Sequence, residues 1–209
     1  MIMEKTMKKY AKRFLFIFIL MMLPAIQNCG SETSSNSSLM ITDKLLTQGW
    51  DHIKVGNYTN ARGSLKDALR ENTTAAQLVE INNALGWAYA KDNKIMDSIQ
   101  YFEKAYMQSA EAKVGLAGAL IFRHESPADF VRAAELLASL PPEKFAPVHS
   151  GLNLTPAKVH VLTAVAFALA NDMEQANHYM AKAAALDSLI VGSDIDRIDT
   201  AFCMLGWKQ

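Results

Sequence analysis

Two patterns of apolar residues divide the chain. The first is continuous: FLFIFILMMLPAI, residues 14–26, is thirteen positions without a polar side chain. A membrane-spanning helix needs about 20 such residues. A run this short, broken near its end by Pro24, reads instead as the apolar region of an export signal. The second pattern begins at Leu39 and is interrupted. Ala, Leu, Lys, Glu and Met are plentiful, β-branched runs are scarce, and turn signals such as Val55-Gly56-Asn57 and Lys91-Asp92-Asn93 cut it into segments. Helix formers in that arrangement predict an all-α domain.

Within the helical segments the spacing repeats. From Gly86, Leu85 lies just before, and Tyr89, Ser98, Phe102 and Ala105 follow at intervals of 3, 12, 16 and 19 residues. Gly49 sets the same register with His52, Ala61, Leu65 and Ala68, and Ala164 sets it with Phe167, Ala176, Met180 and Ala183. A weaker copy starts at Gly118, with Ile121 as its large residue and Ala133 or Ala134 as its small one after a slip of about three residues. Ser126 is a natural cap for its second helix, Pro127 suits the first helical position, and Asp129 completes a capping box.

This spacing resembles the tetratricopeptide repeat, a pair of antiparallel helices. The resemblance implies hairpins at about 40–71, 74–109, 111–140 and 156–187, stacked as a short right-handed superhelix. Residues 193–207 would add a C-terminal capping helix, since Ile195, Ile198, Phe202 and Leu205 recur there at helical spacing. It also gives the register glycines a task, because without a Cβ they let the two helices of a hairpin approach. The chain departs from the family at 139–156, where Pro141, Pro142, Pro147, Gly151 and Pro156 make a connection longer than is usual between helices.

Charge and cysteine narrow the setting. Lys5, Lys8, Lys9, Lys12 and Arg13 precede the apolar run, and Cys29 follows it directly. That order is similar to the lipobox of bacterial lipoproteins, which implies cleavage after residue 28, lipid on Cys29 and a Ser-rich tether over 29–39. Gln27 and Asn28 stand where small residues are usual, so an ordinary cleaved signal and an uncleaved anchor remain open. The domain would be 40–209, in the bacterial envelope; Gly30 favours the outer membrane facing the periplasm, with the cell surface as the alternative. The chain holds 21 Lys+Arg and 21 Asp+Glu. Residues 1–28 take five of the bases and only Glu4 of the acids, which leaves the rest at a net −4. That balance argues against nucleic-acid binding. With Cys29 lipidated, Cys203 has no partner for a disulfide and reads as a small apolar residue.

Motifs for catalysis, metal or cofactor binding are not found, and none of these is expected. The acids of residues 194–199 fit a first helical turn better than a calcium loop. Glu174 and His178 read as an exposed helical pair, and His149 and His160 as structural or solvated. A binding surface remains. In the family the first helices of the hairpins line a concave groove, which here implies Leu46, Trp50, Ile53, Lys54, Asn83, Trp87, Lys91, Phe122 and Arg123. Trp50 with Lys54, Trp87 with Lys91, and Ala119 with Arg123 are equivalent pairs. They suggest a peptide, apolar along its length, with acidic groups near the three cations. Two plainer readings stand beside this: cations suit helix C-termini, and tryptophan packs well between repeats. The chaperone-tail receptors of the family are excluded, because Leu46, Trp50 and Ala84 occupy their ligand positions.

The expectation is a non-catalytic protein-interaction scaffold, similar to pilotin-like or assembly accessory lipoproteins, that binds another envelope protein or peptide segment and meets the membrane through its N-terminal lipid. The rival is a small-molecule or lipid carrier using the enclosed side of the superhelix, whose mark would be a deep pocket closed by the 139–156 connection.

Overall fold

A computed structural model describes residues 31–140 and 145–190. Two compact units are distinguished, Met1–Asn36 and Ser37–Gln209; of the first, only the opening of one helix is described. The expected export signal, Cys29, Cys203, Trp207 and the expected capping helix lie outside the described residues. Among the described residues no helix is long and apolar enough to cross a membrane.

All regular structure described is helical: α1 (Ser31–Lys54), α2 (Tyr58–Ala68), α3 (Ala75–Lys91), α4 (Ile95–Ala105), α5 (Ala110–Arg123), α6 (Pro127–Ala138), α7 (Pro156–Leu169) and α8 (Met173–Leu186). They pair as four hairpins, the first joined through Gly49 and Leu65, and the hairpins stack, α2 on α3, α4 on α5 and α6 on α7. The first helices also touch one another, α3 against α5 and α5 against α7, and so share one face.

Local chemistry places the helix ends. Thr74 accepts from the Gln77 N–H while the Gln77 side chain accepts from Thr74, a complete capping box for α3. Ser109, Thr155 and Asp172 cap α5, α7 and α8 with their side-chain oxygens. Thr74→Ala is expected to cost about 1 kcal/mol, read as a melting point lower by roughly 2–4 °C; an unchanged melting curve would show that the box contributes nothing. Each hairpin turn holds one residue with positive φ: Gly56 (78°), Asn93 (57°), His124 (38°) and Asn171 (65°). Glycine and asparagine tolerate that conformation.

Ser126 occupies the N-cap of α6 in extended backbone, but its side chain makes no cap bond. The expected capping box is not completed, because the Asp129 N–H donates to the Ser126 carbonyl instead of its hydroxyl; the half in which the Ser126 N–H donates to Asp129 is kept. The Asp129 carboxylate also accepts from Arg123 and from the Glu125 N–H at 3.2 Å.

The core explains the glycine register. A Cβ on Gly86 would lie 2.4 Å from the Phe102 ring, and one on Gly49 would lie 2.5 Å from the Leu65 side chain. In both hairpins the large residue sixteen positions on fills the space the missing Cβ leaves. Phe102 is fully buried, and a Cβ on Gly115 would meet its far side at 2.3 Å. The ring therefore sits between two glycines, one from its own hairpin and one from the next. Gly118, expected as the register glycine of the third hairpin, has nothing nearer than Leu162 at 4.0 Å. The close-packed glycine there is Gly115, one helical turn earlier, and it serves the preceding hairpin's aromatic residue.

Candidate functional site

The long connection between α6 and α7 returns across the face shared by the first helices. Phe145 and Leu152 are buried in it, and Ser150–Leu152 form a single 3-10 turn. His149, in extended backbone, is its point of attachment. The imidazole lies flat on the indole of Trp50, with centroids 3.6 Å apart and planes 11° from parallel. Its Nδ1 is 2.7 Å from Glu111 Oε2, and its Nε2 is 3.3 Å from Glu80 Oε1. The backbone N–H of His149 donates to the other Glu111 oxygen at 2.8 Å. A Cβ on Gly151 would lie 3.3 Å from Lys54 Cβ, so the connection also covers the stem of that lysine.

Three helices build this clamp. Trp50 comes from α1 and donates its indole N–H to Glu80 of α3 at 2.8 Å. Asn83, fully buried one turn further along α3, donates to Glu111 of α5 at 3.2 Å. Glu111 itself is buried. Burial alone would raise its carboxyl, but the side-chain and backbone hydrogen bonds from His149 outweigh that and hold it below the ordinary glutamate range. The ring thus stands between two carboxylates, hydrogen-bonded to Glu111 and adjacent to Glu80.

Beyond Leu152 the same face opens into a cavity of about 640 Å³. Apolar side chains of α3, α5, α7 and the connection line it, among them Trp87, Phe122, Leu154 and Leu162. Its polar rim carries Lys91 and Lys158, and no carboxylate stands among the described lining residues. Lys158 donates to the Asn153 carbonyl at 3.0 Å. Partial burial, and then the charge of Lys158, lower the Lys91 ammonium below the ordinary lysine range.

The nine residues expected to line a groove thus divide. Trp50 and Lys54 lie against the returning connection, and Asn83 is buried behind it on Glu111. Trp87, Lys91 and Phe122 line the cavity. Trp87 also meets Phe102 edge-on at 5.4 Å, with its buried Nε1 lacking a hydrogen-bond partner among the described residues. Leu46 is half-buried against the first hairpin's core, and Ile53 is buried within it. Arg123 is held by Asp129, with Glu125 at 3.6 Å, and does not join Lys54 and Lys91 in one row. The ladder of three cations is therefore replaced by two carboxylates at the centre of the face and two lysines at the cavity.

Sequence reasoning missed Glu80, Glu111 and the role of His149. Glu111 lies in the first turn of α5, where an acid is ordinary, and no local signal links it to a residue 38 positions away. Glu174 and His178 are both exposed, and His160 is buried near Tyr179 at 5.8 Å.

Compared with models of known protein families and with curated proteins, the chain matches none.

Proposed function

We propose that the chain is a non-catalytic binding module of the bacterial envelope. In this reading it is a tetratricopeptide-like scaffold, held to a membrane through lipid on Cys29, whose shared helix face receives an extended segment of another envelope protein. The observation that carries the proposal is the seating of His149, where the face already holds a stretch of extended chain by backbone and side chain together. Such a surface has what peptide recognition uses: an aromatic platform, a carboxylate for a backbone N–H, and charge for one side chain.

The central charges set the partner's sign. Glu80 and Glu111 beside Trp50 suit a segment that presents a cationic or protonated aromatic side chain, which would take the place of His149. The acidic partner expected from the lysines alone fits this part of the face poorly.

The proposal is tested with the full chain carrying a Gly/Ser replacement of residues 146–150. A synthetic copy of residues 145–154 should then bind, and envelope proteins crosslinked by the replaced chain should include one whose capture is lost on Trp50→Ala. A peptide that fails to bind the opened face, together with capture that ignores Trp50→Ala, would refute it.

A further inference from the structure

We infer that the cavity between α3, α5 and α7 is a separate site for a small apolar monocarboxylate, its hydrocarbon body against Phe122, Leu154 and Leu162 and its carboxylate between Lys91 and Lys158.

Three observations converge on that chemistry. The first is size: 640 Å³ lies within the range of about 300–1,000 Å³ usual for pockets that enclose a small ligand. The second is charge. Two ammonium groups reach one apolar space whose described lining holds no acid. The carboxylates elsewhere on this face are already engaged, Glu80 and Glu111 by Trp50 and His149 and Asp92 by Arg62 and Lys94. The lowered Lys91 is what uncompensated positive charge in a partly dry setting produces. An anion placed between the two lysines removes that cost. The third is closure. Leu152 is buried, and Gly151 rests on Lys54, so the connection walls the cavity off from Trp50. A long peptide running along the face cannot continue through this wall, whereas a short ligand can lie against it.

The site shares Leu152 and Leu154 with the connection that carries His149. Its lysines and its helical lining hold neither Trp50 nor His149, so it can be tested apart from the scaffold reading. Gly118 supplies a direct way to fill it, because a Cβ there would have no neighbour nearer than Leu162 at 4.0 Å.

The experiment is calorimetric titration of octanoate into the full chain in lipid nanodiscs, against empty nanodiscs, with octylammonium as the probe of opposite charge. Saturable octanoate binding is expected, with octylammonium at least tenfold weaker. The double variant Lys91→Ala/Lys158→Ala should weaken octanoate at least tenfold and erase the preference between the two probes. Gly118→Leu should abolish binding while leaving the helical circular-dichroism signal intact. Should either variant unfold, the probe preference of the unaltered chain still decides. Equal binding of both probes, no saturable octanoate binding, or an affinity indifferent to the paired lysine substitutions would overturn the inference. Each of these results leaves the 145–154 peptide assay at Trp50 unaffected, so the two sites fail or stand separately.

Discussion

Phe102→Ala is expected to lower the free energy of unfolding by about 3–5 kcal/mol, the cost of emptying a closed aromatic site. For a chain of this length that corresponds to a melting point lower by roughly 6–20 °C. The size of the effect follows from where the ring lies. It is fully buried, with Gly86 on one side and Gly115 on the other, so its removal opens a hole that two hairpins share. Gly86→Ala tests the same contact from the other side. Its Cβ would come within 2.4 Å of the ring, and overpacking of this kind costs about 1–3 kcal/mol.

The two substitutions should not add. Once Phe102 is alanine, the Cβ on Gly86 meets open space, and the helix gains from exchanging glycine for alanine by about 1 kcal/mol. A double-mutant cycle measures that coupling. Gly63→Ala serves as a control: Gly63 is exposed within α2, and a Cβ there meets nothing within 4 Å. It should stabilise the chain by about 0.5–1 kcal/mol. If Gly86→Ala cost the same with or without the ring, the wedge account would be wrong.

The second large effect concerns the attachment of the connection at Glu111. Glu111→Gln removes the charge that His149 meets with both its ring and its backbone N–H. Hydrogen bonds to a charged group contribute about 1.5–3 kcal/mol. Residues 145–154 should therefore open roughly 10- to 100-fold more often, at tenfold per 1.36 kcal/mol. Amide hydrogen exchange of that stretch is the measurement, and unaltered protection would dismiss the idea. His149→Phe separates the two parts of the attachment, since it keeps a ring for Trp50 and loses the ring's hydrogen bond.

Acid should act in the same direction. Glu111 is lowered on folding, so its stabilising contribution is complete above the ordinary glutamate range and is lost as pH falls through its depressed value. The unaltered chain should show an acid-induced loss of protection at residues 145–154 that Glu111→Gln lacks.

The stacking of hairpins could be read from the sequence because its causes are local. A glycine and a large residue sixteen positions apart lie in one hairpin, and Gly56, Asn93 and Asn171 announce their turns. His124 carries no such signal, although it adopts the same left-handed conformation. Gly115 escaped notice because its partner belongs to the previous hairpin, and a register counted inside one repeat cannot find it. Arg123 looked like a free cation. Its partner, the carboxylate of Asp129, lies six positions on, across the turn. The site at Trp50 was half legible. The tryptophan and its helix were identified, but Glu80, Glu111 and the returning His149 are brought together only by tertiary structure.

The clasp between His149 and Trp50 also bears on the order of assembly. Each hairpin closes on contacts a few dozen residues apart or fewer, and neighbouring hairpins can dock as they form, in the manner of linear repeat arrays. The clasp joins positions about a hundred residues apart, and its closure entropy is compensated only when α1, α3 and α5 already stand side by side. It therefore closes only after those three helices have docked. A chain emerging from a ribosome or a membrane channel would display the face around Trp50 uncovered until the segment near residue 149 arrives.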